Sequence, residues 1–384
     1  MICYNLTVNI QLPMHRIKLI LPLALSFLLL SCNNTTSGSA STETQTITDC
    51  KNRTVEVKKD INKVCITFNL EEYFAIGGDE AVGKIVGWSH SYLKGRRNDA
   101  YEAYTTAYPS LLEKTDIGYS SNINIETIIS LEPDVVLASS SADYSYFESK
   151  LSILEKADIS VIFFDYHTDT IESVRKSNEI LGKVLNKEER AKEISDYYES
   201  KVSPIFSKAK DIKEEDKPNV YMEFSKGKDT YGNTWSKKMW GSLIQQVGGK
   251  NIAYDISDAN SVDMAKEAII RYNPDIIILT GALQTGLVDN VVLGYNQDEA
   301  KARKNLESYL ERSEWQSVNA VINRNLSAVY HDLSRHIFDF AGVEFLAKKI
   351  QPTIFADLDP VKDLKEFFSL YMPFELQGCF MVEL

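Results

Sequence analysis

The chain has 384 residues, a formal charge of −12, and 44% hydrophobic and 25% charged residues. That length predicts two domains, and the acidic balance, without a basic stripe, argues against nucleic acid or another polyanion as partner. Five cysteines with no C-x-x-C and no Cys/His pair at zinc spacing argue against a structural zinc module.

The first feature along the chain is an apolar run of twelve residues, Leu19 to Leu30, holding one proline, Pro22. A membrane-spanning helix needs about 20 residues, so the run fits the apolar region of a signal peptide. Arg16 and Lys18 supply its positive flank, and Met14 is the expected start of translation. The run ends Leu29-Leu30-Ser31-Cys32, which resembles a bacterial lipobox. In that scheme residues 1–31 are removed and Cys32 is acylated, because a thiolate is a strong nucleophile at modest pH. Several acyl chains then anchor the protein durably at the extracytoplasmic face of the membrane. Removing Arg16 and Lys18 leaves the chain from Cys32 at −14. Residues 32–46 are mostly Asn, Thr, Ser, Gly, Ala and Gln, a composition that cannot bury a core and predicts a flexible tether.

Next comes an apolar strand pattern, Val64 to Phe68, which contains Cys65. Cys50 and Cys65 are expected as two isolated thiols, with a disulfide as the alternative. Residues 78–85 nearly match a phosphate-binding loop, but Ile85 replaces the magnesium-binding hydroxyl and Asp79-Glu80 repels phosphate. The segment is read as a helix end and turn before a strand at Ile85.

One pattern then occurs twice. Ile123 to Ser139 and Asp263 to Gly281 each run from a glutamate through a short amphipathic stretch to Pro-Asp and an apolar strand. Glu126 precedes Pro133 by seven residues, and Glu267 precedes Pro274 by seven. Proline disfavours helix in the residue before it, and the strands suit a parallel sheet buried on both faces. Further strands at Ile159–Phe164, Val220–Phe224 and Ala328–Tyr330 alternate with helices. The fold class is therefore α/β: two Rossmann-like lobes with parallel sheets. A charged helical stretch at 187–210, with Asn186 as its N-cap, joins a first lobe at 47–186 to a second at 211–384.

These pieces, in this order, resemble the substrate-binding proteins of ABC importers that serve iron–siderophores, haem and cobalamin. The resemblance rests on Thr48 to Val57, Gly83-Lys84-Ile85-Val86-Gly87, Asn124-Ile125-Glu126 and Pro133-Asp134. In the second lobe it rests on Val247 to Ala253, Asn273-Pro274-Asp275, Trp315, Asn319-Ala320-Val321 and Val329-Tyr330. Asn52 stands where relatives carry a turn glycine, and asparagine tolerates the left-handed conformation that such a turn needs. The resemblance implies a protein with no catalytic role and no cofactor, which captures a ligand between its lobes. The permease and its ATPase are the implied partners, and Glu126 and Glu267 dock one lobe each onto permease arginines. The ligand implied is a ferric siderophore or similar chelate, with cobalamin, haem or another metal complex as alternatives.

Ligands of open α/β sheets bind beyond the carboxyl ends of the strands. That places the candidate ligand-binding residues on the loops 88–97, 139–146, 230–240 and 330–336, with His167. Arg335 leads, because guanidinium offers a planar fork to carboxylates and catecholates. His336, Trp235, Tyr144 and Arg97 follow. His90, His167, His331 and His336 form no i, i+4 pair, which argues against a free-ion site. A secreted hydrolase is the rival class, but no G-x-S-x-G elbow is present.

Overall fold

The computed structural model describes residues 43–167, 171–259 and 261–384. The expected signal segment, Cys32 and the tether up to residue 42 lie outside these residues. The end of the tether needs correction: β1 (Thr44–Thr48) occupies positions assigned to it, pairing antiparallel with β2 (Thr54–Lys58). The reason is Ile47, an isolated apolar residue that is nonetheless only 1% exposed, beside Val57 in the core. Between the two strands Asp49 accepts from the backbone N–H of Lys51 and Arg53, and Asn52 takes the expected left-handed φ of 58°.

The first lobe is a five-stranded parallel sheet in the order β5-β4-β3-β6-β7, formed by β3 (Val64–Ile66), β4 (Ile85–Trp88), β5 (Thr115–Asp116), β6 (Val135–Ser139) and β7 (Ser160–Phe164). The second lobe contains β8 (Asn219–Phe224), β9 (Asn233–Thr234), β10 (Lys250–Asn251), β11 (Val262–Asp263), β12 (Ile276–Gly281), β13 (Gly294–Tyr295), β14 (Leu326–Tyr330), β15 (Gly378–Cys379) and β16 (Met381–Glu383). Its sheet runs β10-β8-β12-β14-β16, parallel except for the edge strand β16. Two antiparallel ribbons, β9 with β11 and β13 with β15, sit outside it.

The sequence repeat has the same structural cause in both lobes. Helix Ile125–Leu131 ends on Glu132 at φ 49°, and helix Lys266–Tyr272 ends on Asn273 at φ 46°. Proline then prevents continuation, and the aspartate after it clips the start of the neighbouring strand. Asp134 accepts from the N–H groups of Asn62 and Lys63 ahead of β3, and Asp275 accepts from Asn219 at the start of β8.

The linking helix is Glu188–Ala209. Asn186 is left-handed rather than its cap, which is Lys187, and the Asn186 side-chain NH₂ donates to the carbonyl of Lys59. Ala191, Ile194, Tyr198, Val202, Ile205 and Ala209 recur every three or four residues and are buried, so the apolar stripe holds the helix in place. One apolar cluster runs through both lobes, from Ile47 to Val382, and a second, with Val136, Phe147 and Phe163, lies within the first lobe. Cys50, Cys65 and Cys379 are free thiols. No helix among the described residues is long and apolar enough to cross a membrane.

Candidate ligand-binding cleft

The carboxyl ends of both parallel sheets open onto one cavity of about 570 Å³, lined by both lobes. The first lobe contributes an aromatic wall. Phe68, just past β3, lies 5.2 Å from Tyr92 and 5.3 Å from His167, and Tyr92 lies 5.2 Å from Tyr119. The second lobe contributes another. His331, following β14, lies 4.7 Å from Phe224 and 5.6 Å from Trp235. Arg335 reaches the cavity between them, with Arg96 and Lys226 also lining it.

Buried polar groups hold the second wall. The Asn251 side-chain amide donates to the carbonyls of Trp235 and Ser236 at 2.8 and 3.1 Å, fixing the loop that carries Trp235. That loop turns so tightly that a Cβ at Gly241 would lie 1.9 Å from the Ser236 carbonyl oxygen. Met239, also in the lining, holds φ at 50°, a strained value for a long side chain. Arg312 fixes the loop after β8. It pairs with buried Glu223 at 2.8 Å and donates to the carbonyls of Gly227, Lys228 and Thr230. Its guanidinium lies 4.1–4.4 Å from the ring centres of Tyr231, Tyr309 and Trp315.

Beneath the cavity a charged network crosses between the lobes. Arg97 pairs with Glu71 at 2.7 Å and with Asp332 at 2.6 Å. Burial pushes both carboxyls up, but the facing guanidinium groups outweigh it and hold Glu71 and Asp332 below the ordinary carboxylate range. Asp99, by contrast, is pushed up to about 6, chiefly by burial. In the cavity itself, burial and then the Arg335 charge lower His167 and His331 to about 3, so both imidazoles are neutral at physiological pH.

This network corrects two of the expected ligand contacts. Arg97 lines the cavity but is only 2% exposed, and its guanidinium is committed to Glu71 and Asp332, so it ties the lobes together. His336 is fully buried and absent from the lining. Its Nε2 lies 3.2 Å from Arg97 Nη1, and its Nδ1 lies 3.0 Å from Glu72 Oε1. A guanidinium only donates, so Nε2 accepts and Nδ1 carries the proton that goes to Glu72. Glu71, Glu72 and His336 do bring one ligand atom each within 4.8 Å of one another. A metal there would need the Nδ1 lone pair and would force a proton onto Nε2 against Arg97, so the donors do not fit a cation.

Tyr144 is the third correction. Past β6 the Asp143 carboxylate turns back to Thr67 and to the N–H of Ser139, and the helical turn Tyr144–Phe147 carries Tyr144 away from the cavity. Its ring packs edge-on to Phe163 under Lys51, and its hydroxyl donates to Glu148. Arg335 and Trp235 do line the cavity. Trp240 is a packing residue, fully buried, whose Nε1 donates to the His331 carbonyl.

Across residues 74–331 the sequence matches the family described as periplasmic binding protein. The chain belongs to that family. It is a family of solute-binding proteins rather than enzymes. Among relatives, this binding protein is 28% identical over 317 residues to the ABC transporter substrate-binding lipoprotein YvrC of Bacillus subtilis (strain 168), covering 81% of this chain and 87% of YvrC. It is 22% identical over 269 residues to the high-affinity heme uptake system protein IsdE of Staphylococcus aureus (strain Newman), covering 70% and 78%. The crystal structure of the TroA-like periplasmic binding protein FepB from Veillonella parvula superposes with a TM-score of 0.83 at 31% identity, covering 88% of this chain and 99% of that one.

On this binding protein Glu126 and Glu267 occupy equivalent places, each exposed in the first turn of the helix that enters the repeated Pro-Asp turn. The sequence reading missed Phe68, Tyr119, Phe224 and Lys226 in the lining. All four lie at or just past strand ends, so the rule that selected the other loops applies to them. The signal was weak after β5, which has only two residues. His331 was inside a chosen loop but was passed over for its neighbours.

Proposed function

We propose that this binding protein captures an anionic metal chelate with an aromatic or apolar face, a ferric siderophore first among them, and delivers it to the permease and ATPase of an ABC importer. The observation that carries the reading is Arg335 set between two aromatic walls, its Nη1 making no hydrogen bond among the described residues. Asp332 and Asp143, the acids in the lining, are both buried and spent on internal partners. The cleft is therefore cationic although the chain as a whole is acidic. Its volume falls within the range of about 300–1,000 Å³ usual for organic ligands. The names of YvrC, IsdE and FepB are consistent with an importer component. Lipidation at Cys32 would hold the protein at the extracytoplasmic membrane face, and Glu126 and Glu267 would present one carboxylate per lobe to the permease.

Haem is the second reading, favoured by His167 and His331, neutral imidazoles on opposite walls of the cavity. One titration tests both. Tryptophan fluorescence is followed while ferric catecholate, hydroxamate and citrate chelates and haem are added, with inner-filter correction. We expect saturable binding of one anionic chelate, weakened about 10- to 100-fold in Arg335→Ala and unchanged in Tyr144→Phe. No saturable response to any of them would move the ligand off the iron chelates.

A further inference from the structure

We propose that Asp332 is a positioning residue that sets the cleft's preference for anions, by orienting the Arg335 guanidinium and registering it to the opposite lobe. The inference rests on the reading that Arg335 meets an anionic ligand. Asp332 is 1% exposed and lies in the cavity lining. Its Oδ1 accepts from Arg335 Nε at 2.8 Å and also from Nη2. Its Oδ2 pairs with Nε of Arg97 at 2.6 Å, and Arg97 continues to Glu71 of the first lobe. A second tether acts on the backbone: Asn69, also of the first lobe, donates to the Arg335 carbonyl at 3.2 Å. The cleft guanidinium is thus aimed by an acid that is itself held from across the interface.

Charge alone argues against an acid here, because a carboxylate on the floor of an anion-binding cleft repels the cargo. Geometry supplies the reason for it. A free arginine side chain has considerable rotamer freedom, and a planar fork fixed in advance loses less of it on binding. By occupying Nε and Nη2, Asp332 leaves Nη1 to the cavity, so the site presents one aimed donor edge rather than a mobile cation.

The two accounts predict opposite signs for Asp332→Asn. If the carboxylate only repels, the variant binds anions more tightly. If it positions, the amide sets its NH₂ against Arg97 or against Arg335, one link breaks, and anion affinity falls. The test uses the whole protein with ferric citrate as anionic probe and a neutral ferric trihydroxamate as control, alongside the Arg335 Nε–H resonance in ¹⁵N-arginine-labelled protein without ligand. We expect about a tenfold loss for ferric citrate and little change for the neutral chelate, with the slowly exchanging Nε–H signal lost where the amide NH₂ faces Arg335. Equal or tighter ferric citrate binding overturns the proposal, whichever of the two links the amide breaks. If the wild type binds neither probe while the Nε–H signal is lost as expected, the anionic-chelate reading fails and the positioning of Arg335 stands. Arg335→Lys covers the case in which Asp332→Asn does not fold: it keeps the charge without the fork and should lose ferric citrate binding about as fully as Arg335→Ala. Wild-type affinity in Arg335→Lys would overturn the role of the aimed fork.

Discussion

Replacing Arg312 with alanine strips the support from the loop that follows β8 and carries Lys226. Arg312 and Glu223 are each 1% exposed in their side chains and lie 2.8 Å apart. Removing one member of such a pair strands the other charge and costs about 3–5 kcal/mol. The carbonyls of Gly227, Lys228 and Thr230 lose their donor as well, at about 1 kcal/mol each. The ring contacts with Tyr231, Tyr309 and Trp315 add about 1–2 kcal/mol. These contributions share one side chain and do not sum fully, so about 5 kcal/mol is the expected loss, a large part of the about 5–15 kcal/mol that holds a typical domain. Urea unfolding followed by far-UV circular dichroism measures it. The double variant Arg312→Met/Glu223→Gln should recover part of the loss, because neither charge is then left alone. A loss under about 1 kcal/mol for Arg312→Ala, or a double variant no more stable than the single one, would refute the view that the stranded carboxylate dominates.

Glu344 is 1% exposed, and its carboxyl is pushed up to about 8 by burial and then by Asp363. The folded state therefore holds a proton that the unfolded state releases near 4.5, so stability should fall as pH rises from about 4.5 to 8, by a few kcal/mol in order of magnitude. Glu344→Gln should lose much of that slope in denaturation midpoints between pH 5 and 9, and an identical slope in variant and wild type would rule the group out. Asn251→Ala removes the amide that ties down the Trp235 loop, with an expected cost of about 2 kcal/mol and weaker chelate binding; unchanged affinity would show that the loop holds itself. Glu126→Ala and Glu267→Ala should stay within about 0.5 kcal/mol of the parent stability and keep chelate affinity, yet abolish uptake in vesicles carrying the permease and ATPase. Undiminished uptake would exclude the docking role.

Much of the architecture is legible along the chain because its causes are local. A proline after a short amphipathic helix, followed by aspartate and an apolar run, yields the same helix, left-handed cap, clipped strand and sheet at 125–139 and again at 266–281. The linking helix follows from its apolar stripe. The end of the tether was misread because composition around Thr44 is polar, and one buried Ile47 with a partner strand outweighs it.

The sequence by itself determined the α/β class, the doubled unit, the linking helix and most of the loops that surround the cleft, since periodicity, caps and strand ends depend on near neighbours. Only the tertiary structure decided which charged residue on those loops stays available. Arg97 and Arg335 read alike in sequence, each an arginine at the end of a candidate loop. Glu71 and Asp332, one from each lobe, enclose Arg97, whereas Asp332 takes only one edge of Arg335. His336 is withdrawn in the same way by Glu72. A buried charge must find its counter-charge wherever the fold brings one. Here one such partner comes from the other lobe, beyond the reach of any local pattern.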